Sequence, residues 1–289
     1  MRKSLVSTTI FPISTTLGEQ KAIEMVAKAG FDAYDFSMDS NIVFVDKKDG
    51  SVRMADHPLA GKDYIKFVKE LKKVGEDNGI FCNQSHAPFP INNKLVYDSL
   101  KKSIECTAIA GGKICVIHPD NNKSAKENAE IYQTLLPFAK EHGVKIATEN
   151  MWNYDYENKR PCPAACSNHE DFLAHIKAVN DEYLVACLDV GHAELKGLNT
   201  SSVDMIKTLG KSLQCLHLHD NDLLTDWHWL PFGAKIEFHK IIKALKEENY
   251  SGEFTLEATN YLDRQEDKEQ ALKKMCEVAR KIADEFDSL

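Results

Sequence analysis

Arginine is scarce in this chain: Arg2, Arg53, Arg160, Arg264 and Arg280 are the whole set in 289 residues. Acidic residues outnumber basic ones 44 to 36, for a formal net charge of −8. A protein built to grip a nucleic-acid backbone is usually basic and arginine-rich, so both features argue against a nucleic-acid partner. Long apolar runs are also absent, since none approaches the roughly 18 residues that a membrane span needs. The start, Met1-Arg2-Lys3-Ser4-Leu5, has a basic pair, but Thr8 and Thr9 interrupt the apolar stretch and Pro12 ends it. A signal peptide is therefore not expected, and a cytoplasmic protein is. There are eight cysteines, but the chain is too long for a disulfide scaffold. Cys162 and Cys166 share one loop without the second pair that a zinc clip requires. No shift in composition marks a linker, which points to one domain over residues 1–289.

What the chain has is a recurring pattern: short apolar runs, each closed by a residue able to bind a metal. His86 closes 80–85, His118 closes 113–117, Glu149 closes 144–148 and Asp189 closes 184–188. His217 and His219 finish the run that starts at Leu213, and Glu257 finishes 254–256. Short apolar runs of this kind read as buried parallel strands, and a polar residue at each C-terminal end places the polar residues on one rim. Imidazoles and carboxylates gathered on one rim are what a divalent cation needs. Cys82, Cys115, Cys187 and Cys215 lie inside these runs and read as small buried hydrophobes.

Helix-like stretches alternate with the strands. The spacing predicts helices over 19–28, 62–78, 95–110, 124–142, 172–179, 203–209, 236–247 and 265–286, with Gly30, Gly79 and Gly143 as stops. Residues 38–61 and 150–168 read as long loops. Eight strand–helix units in one domain close most simply into a (β/α)8 TIM barrel, whose active sites lie at the C-terminal rim. A doubly wound open sheet is the alternative, but it gathers its ligands at one switch point rather than over six strand ends. Leu272, Met275, Val278, Ile282 and Phe286 on the closing helix read as core, with a homo-oligomer surface as the other reading. His57, His142, His169, His175 and His239 read as surface or capping residues.

The segments His86-Ala-Pro-Phe-Pro, His118-Pro-Asp, Glu149-Asn, Leu188-Asp-Val-Gly-His192, His217-Leu-His-Asp-Asn and Asp226-Trp-His228 carry a family likeness. With them the chain resembles the xylose isomerase-like barrel superfamily, over nearly its whole length. That group includes sugar isomerases, ketose 3-epimerases, inosose isomerases and dehydratases, and endonuclease IV. Likeness to the isomerase and epimerase branch implies one divalent metal (Mn²⁺, Mg²⁺, Co²⁺ or Zn²⁺) held by Glu149, Asp189, His217 and Glu257. It also implies a sugar or sugar phosphate as partner and Glu149 and Glu257 as the catalytic pair. One carboxylate would remove a proton next to the carbonyl while the metal stabilises the enediolate. Phe89, Trp152, Trp227 and Trp229 would then wall a sugar pocket, and His192 and His219 would bond sugar hydroxyls.

Two departures separate the chain from named branches. Ketose 3-epimerases typically carry an arginine a few residues beyond the seventh-strand histidine, and here His219 to His228 contains none. Endonuclease IV uses three zincs, and every ligand type has a match. His86, His118 and Glu149 would hold one ion; Glu149, Asp189, His217 and Glu257 a second; His192, Asp226 and His228 a third. Yet His217 is followed by Leu-His-Asp-Asn, where the endonucleases have an asparagine, and His86 precedes Ala-Pro-Phe-Pro rather than a DNA-wedging loop. The expectation is therefore a metal-dependent sugar isomerase or epimerase, with an abasic-site phosphodiesterase as the rival. A non-catalytic sugar-binding barrel is a third reading, for which the full set of four ligands would be superfluous.

Overall fold

The computed structural model describes residues 3–46 and 50–289; Arg2 of the basic start and 47–49 of the first long loop lie outside it. Eight parallel strands form one sheet that curls almost onto itself. In chain order the strands are β1 (Val6–Thr9), β2 (Ala33–Ser37), β3 (Val43–Val45), β4 (Val52–Met54), β5 (Phe81–His86) and β6 (Ile114–Val116). They continue with β7 (Lys145–Glu149), β8 (Trp152–Asp155), β9 (Arg160–Pro163), β10 (Leu184–Asp189), β11 (Leu213–His217) and β12 (Phe254–Leu256). The barrel runs in the order β11-β10-β7-β6-β5-β2-β1-β12. Its seam is closed by one parallel bridge, Leu218 to Leu256. Leu218 N–H donates to the Thr255 carbonyl at 2.9 Å, and Glu257 N–H to the Leu218 carbonyl at 3.0 Å.

The helices lie outside: α1 (Ile13–Leu17), α2 (Glu19–Ala29), α3 (Tyr64–Asp77), α4 (Lys94–Ala110), α5 (Ala125–His142) and α6 (His169–Val179). They are followed by α7 (Val190–Ala193), α8 (Ser202–Leu209), α9 (Phe238–Glu247), α10 (Thr259–Asp263) and α11 (Lys268–Ser288). The stops expected at Gly30 and Gly143 are in place, whereas α3 is capped by Asn78, one residue before Gly79. Ser124 and Glu127 form a capping box on α5, and Gly30 and Gly143 end α2 and α5 at φ +101° and +63°. One face of α11 buries Leu272, Met275, Val278, Ile282 and Phe286, so this face is core. Each such side chain contributes roughly 1.5–3 kcal/mol. Among the described residues no helix is long and apolar enough to cross a membrane.

The two long loops are corrected by the structure. Residues 38–61 contain the antiparallel pair β3–β4, and 150–168 contain β8–β9. The second hairpin turns on Asp155, whose Oδ1 accepts from the N–H groups of Glu157 and Asn158. His175 is also corrected. It is buried, not superficial, with Nδ1 on the Asp171 carbonyl and Nε2 on Asn128.

The barrel interior has two halves. Val116, Ala147, Val185, Cys187 and Cys215 form an apolar cluster under β6, β7, β10 and β11, with every thiol in the chain free. Under β1, β2, β5 and β12 the buried side chains are polar: Ser7, Asp35, Asn83, Gln84 and Thr255. A bulge skips Asn83 in the pairing of β2 with β5, which changes where the β5 side chains point.

Candidate metal and active site

Strand ends bring the ligand-type residues together. Donor atoms of Glu149, Asp189, His217 and Glu257 all lie within 4.8 Å of one another, as do those of His86, His118 and Glu149. His192, Asp226 and His228 form a third group, which His219 joins. Glu149 is the hinge of the arrangement and is 1% exposed. Its Oε2 stands 3.1 Å from His118 Nε2 and 3.7 Å from His86 Nε2. Its Oε1 stands 3.2 Å from His217 Nδ1.

The imidazoles are oriented as ligands are. His86 Nδ1 bonds the Ala87 carbonyl, His192 Nδ1 the Asn150 carbonyl and His228 Nδ1 the Glu257 carbonyl, at 2.9–3.0 Å. A carbonyl only accepts, so each Nδ1 carries a proton and each Nε2 is the ring nitrogen turned inward. His86 and His118 then bring their Nε2 atoms to 2.9 Å, and His192 and His228 aim Nε2 at Asp226 Oδ2 from 3.2 and 3.1 Å. Both ring nitrogens of His217, Nδ1 of His219 and Oδ1 of Asp226 are buried without a hydrogen-bond partner. Unpartnered buried donors and lone pairs facing carboxylates are costly unless a cation completes them, and the mixed N/O set suits a divalent ion. The residues fit a metal.

Asp189 is held from three sides. Its backbone N–H donates to Asn150 Oδ1, its Oδ1 accepts from His192 N–H as the cap of α7, and both carboxylate oxygens face His219 Nε2 at 3.0 and 3.1 Å. Gly191 makes room for that ring: a Cβ there would lie 1.9 Å from His219 Cε1. Asp220, at the end of the β11 segment, accepts from the N–H groups of Asn221, Ala234, Lys235 and Ile236 and so folds the loop that carries Asp226 and His228. Asn150 and Asp220 lie inside the Glu149-Asn and His217-Leu-His-Asp-Asn segments, but sequence alone assigns neither a role.

The charges of the cluster support one another. Burial works against the Glu149 carboxylate, but His217 and His118 outweigh it and hold the group well below its ordinary range. Burial lowers His118 to about 4 despite Glu149. For His228 burial is outweighed by Asp226, Glu257 and Asp189, and the ring rises to about 10. Cys187 lies within reach of Glu149 and His217, but burial lifts its thiol well above the usual range, so it is a protonated neighbour.

A cavity of about 420 Å³ opens on the cluster. Glu149, Glu257, His86, His118, His192, Asp226 and His228 form its floor, and Phe11, Phe89, Met151 and Trp152 are apolar wall. Phe89 and Trp152 are among the residues that line the cavity. Trp227, Trp229 and His219 do not line it. Trp227 is 43% exposed, Trp229 packs edge-on against Tyr261, and His219 is fully buried and stacked on His228 at 3.9 Å. His219 faces both carboxylate oxygens of Asp189.

The sequence model of the family described as "xylose isomerase-like TIM barrel" matches residues 23–282. An uncharacterised protein of Methanocaldococcus jannaschii is 24% identical, with 98% of this chain and 92% of that protein covered. Among solved structures, a D-tagatose 3-epimerase-like protein superposes with a TM-score of 0.71 at 18% identity, over 98% of each chain. The 3-keto-D-glucoside 4-epimerase from E. coli gives 0.69 at 16% identity, over 96% of this chain and all of the other. At these identities the structural likeness establishes the fold.

Proposed function

Because the chain belongs to the xylose isomerase-like TIM barrel family, and because its rim joins two carboxylates to a metal-shaped pocket, we propose that it is a divalent-metal-dependent sugar isomerase or epimerase. The observation that carries the reading is the pair Glu149 and Glu257, both lining one cavity and both within ligand distance of Asp189 and His217. Epimerases among the similar structures support the same chemistry. Glu149, Asp189, His217 and Glu257 would hold the ion, which would supply Lewis acidity towards the oxygens of a bound keto-sugar.

The remaining work belongs to the chain. Phe11, Phe89, Met151 and Trp152 cover the apolar edge of the sugar and exclude water, which strengthens every polar contact on the floor. One carboxylate takes the proton from the carbon beside the carbonyl, and the electron pair moves to the carbonyl oxygen as an enediolate. Return of a proton by the other carboxylate to the opposite face gives the epimer. Return to the former carbonyl carbon by the first, with the hydroxyl proton passing from one enediolate oxygen to the other, gives the aldose–ketose isomer. Glu257 is the more open of the two, its side chain 19% exposed against 2% for Glu149, so its proton is the one that exchanges with water.

A second reading rests on the third cluster, because His192, Asp226 and His228 complete the donor set of a three-metal phosphodiesterase. The net charge of −8 and the apolar cavity wall favour the sugar. The test is a metal-loaded assay of ketopentoses, ketohexoses, their phosphates and keto-glycosides, with products followed by NMR, beside nicking of a duplex with one abasic site. Formation of an epimer or aldose is expected. Nicking without any sugar product would replace the proposal with the second reading.

A further inference from the structure

Asp35 was not among the residues that the sequence pattern marked, yet it is the buried acid directly behind His217. It sits on β2, is 1% exposed, and places Oδ2 at 3.3 Å from His217 Nε2. The opposite ring atom, Nδ1, faces Glu149 at 3.2 Å and Glu257 at 3.7 Å. The ring therefore stands between a carboxylate outside the ligand set and the two carboxylates inside it. Barrel interiors are normally filled by branched apolar side chains, and an unpaired carboxylate there is expensive.

Here a polar chain is built to hold it. Gln84 Nε2 donates to Asp35 Oδ2 at 3.2 Å, Thr255 Oγ1 donates to Gln84 Oε1, and Asn83 Nδ2 reaches both Gln84 Oε1 and Thr255 Oγ1. Ser7 Oγ anchors Asn83 Oδ1 at 2.7 Å. The Asn83 bulge on β5 is where two neighbouring residues, Asn83 and Gln84, both join this interior chain. Four strands thus contribute to fixing one carboxylate behind one histidine.

We propose that Asp35 is a positioning residue for the metal centre: it accepts the Nε2 proton of His217 when a metal draws on Nδ1, which selects that tautomer and aims the Nδ1 lone pair into the ligand cluster. In the present geometry the two are an ion pair at 3.3 Å, and Nε2 makes no hydrogen bond. The inference rests on His217 serving as a ligand, as proposed above. Partners of this kind raise the basicity of a ligand imidazole and fix its orientation, and losing one costs about ten- to hundredfold in metal affinity. Asp35→Leu and Asp35→Asn remove the same negative charge from beside the cluster, so the difference between them reads the acceptor oxygen and the orientation of His217.

The experiment uses the full chain and Mn²⁺ or Zn²⁺ without substrate. Calorimetry of the parent, Asp35→Leu and Asp35→Asn gives the dissociation constants. Asp35→Leu, which removes the acceptor, is expected to bind the metal about ten- to hundredfold more weakly, and Asp35→Asn, which keeps an acceptor oxygen, to recover most of that loss. The second readout needs no variant. In ¹⁵N-histidine-labelled, Zn²⁺-loaded parent, long-range proton–nitrogen spectra should show His217 protonated at Nε2 and metal-bound at Nδ1. A metal-bound Nε2, an Nδ1–H signal, a parent that binds neither metal, or a soluble Asp35→Leu protein of parental affinity would each overturn the inference. Because both readouts are taken without sugar, a failure of the proposed reaction leaves them fully readable.

Discussion

Replacing Gly191 with alanine tests how tightly the Leu188-Asp-Val-Gly-His192 motif is fitted to its site. The added Cβ would lie 1.9 Å from His219 Cε1 and 2.5 Å from both ring nitrogens. To regain ordinary van der Waals separation the ring must retreat about 1.5 Å. His219 has nowhere to go, being fully buried, stacked on His228 at 3.9 Å and bonded to both oxygens of Asp189. Overpacking of a core site costs about 1–3 kcal/mol, and loss of a hydrogen bond to a buried charge about 1.5–3 kcal/mol more. A loss of about 3–5 kcal/mol corresponds to about 6–10 °C in Tm for a domain of this size. Thermal and urea unfolding of the metal-free protein would measure it, with calorimetric metal titration in parallel. In a His219→Ala background the same alanine should cost under about 0.5 kcal/mol, because the obstructing ring is gone. A Gly191→Ala protein of parental stability, or an equal penalty in both backgrounds, would refute the reasoning.

Glu149→Gln should leave the circular dichroism spectrum unchanged while divalent-metal binding, read by calorimetry, falls at least about tenfold, since one anionic ligand shared by His118 and His217 is lost. Metal affinity should also rise with pH. Burial works against the proton on His228, but Asp226, Glu257 and Asp189 hold it up to about pH 10. His217, the imidazole of the ligand set, is likewise raised well above its ordinary range by Glu257 and Glu149 against burial, so binding must displace its proton. Proton release, measured by titration in buffers of different ionisation enthalpy, checks this, and proton uptake would contradict it. The same raised value makes the His228–Asp226 contact a contribution to folding that is complete below about pH 6.5 and is lost as pH climbs through about 10. Asp220→Ala should destabilise the fold by about 3 kcal/mol or more in urea, because four backbone N–H groups lose a buried anionic acceptor. Trp152→Ala should weaken substrate binding, read as a raised KM, whereas Trp227→Ala, outside the cavity, should leave KM unchanged.

The barrel was legible because its strands advertise themselves. Buried parallel strands are short and almost wholly apolar, and the ligand-type residue that ends each run is also the point where the chain emerges at the rim. His86, Glu149 and Asp189 are the last residues of β5, β7 and β10. The hairpins were not legible. Residues 152–163 hold two prolines and short strands with little alternation, and their pairing depends on a turn at Asp155 that a loop could equally contain. The supporting residues were hidden for another reason. Asp35 and Asn150 act through partners 182 and 39 residues away, a proximity that only the closed barrel creates. Trp227 and Trp229 mislead because aromatic residues beside a motif do not reveal which side of the chain they face. Trp229 joins an antiparallel bridge to Asp220 and turns towards Tyr261.

Proton abstraction beside a carbonyl leaves a direct trace. Metal-loaded protein incubated in D₂O with the keto-sugar panel should carry deuterium into the carbon adjacent to the carbonyl, seen as loss of that proton's NMR signal, and Glu257→Gln should stop it in protein shown to have bound its metal. An absence of exchange with every sugar, together with metal-dependent nicking of abasic DNA, would contradict it.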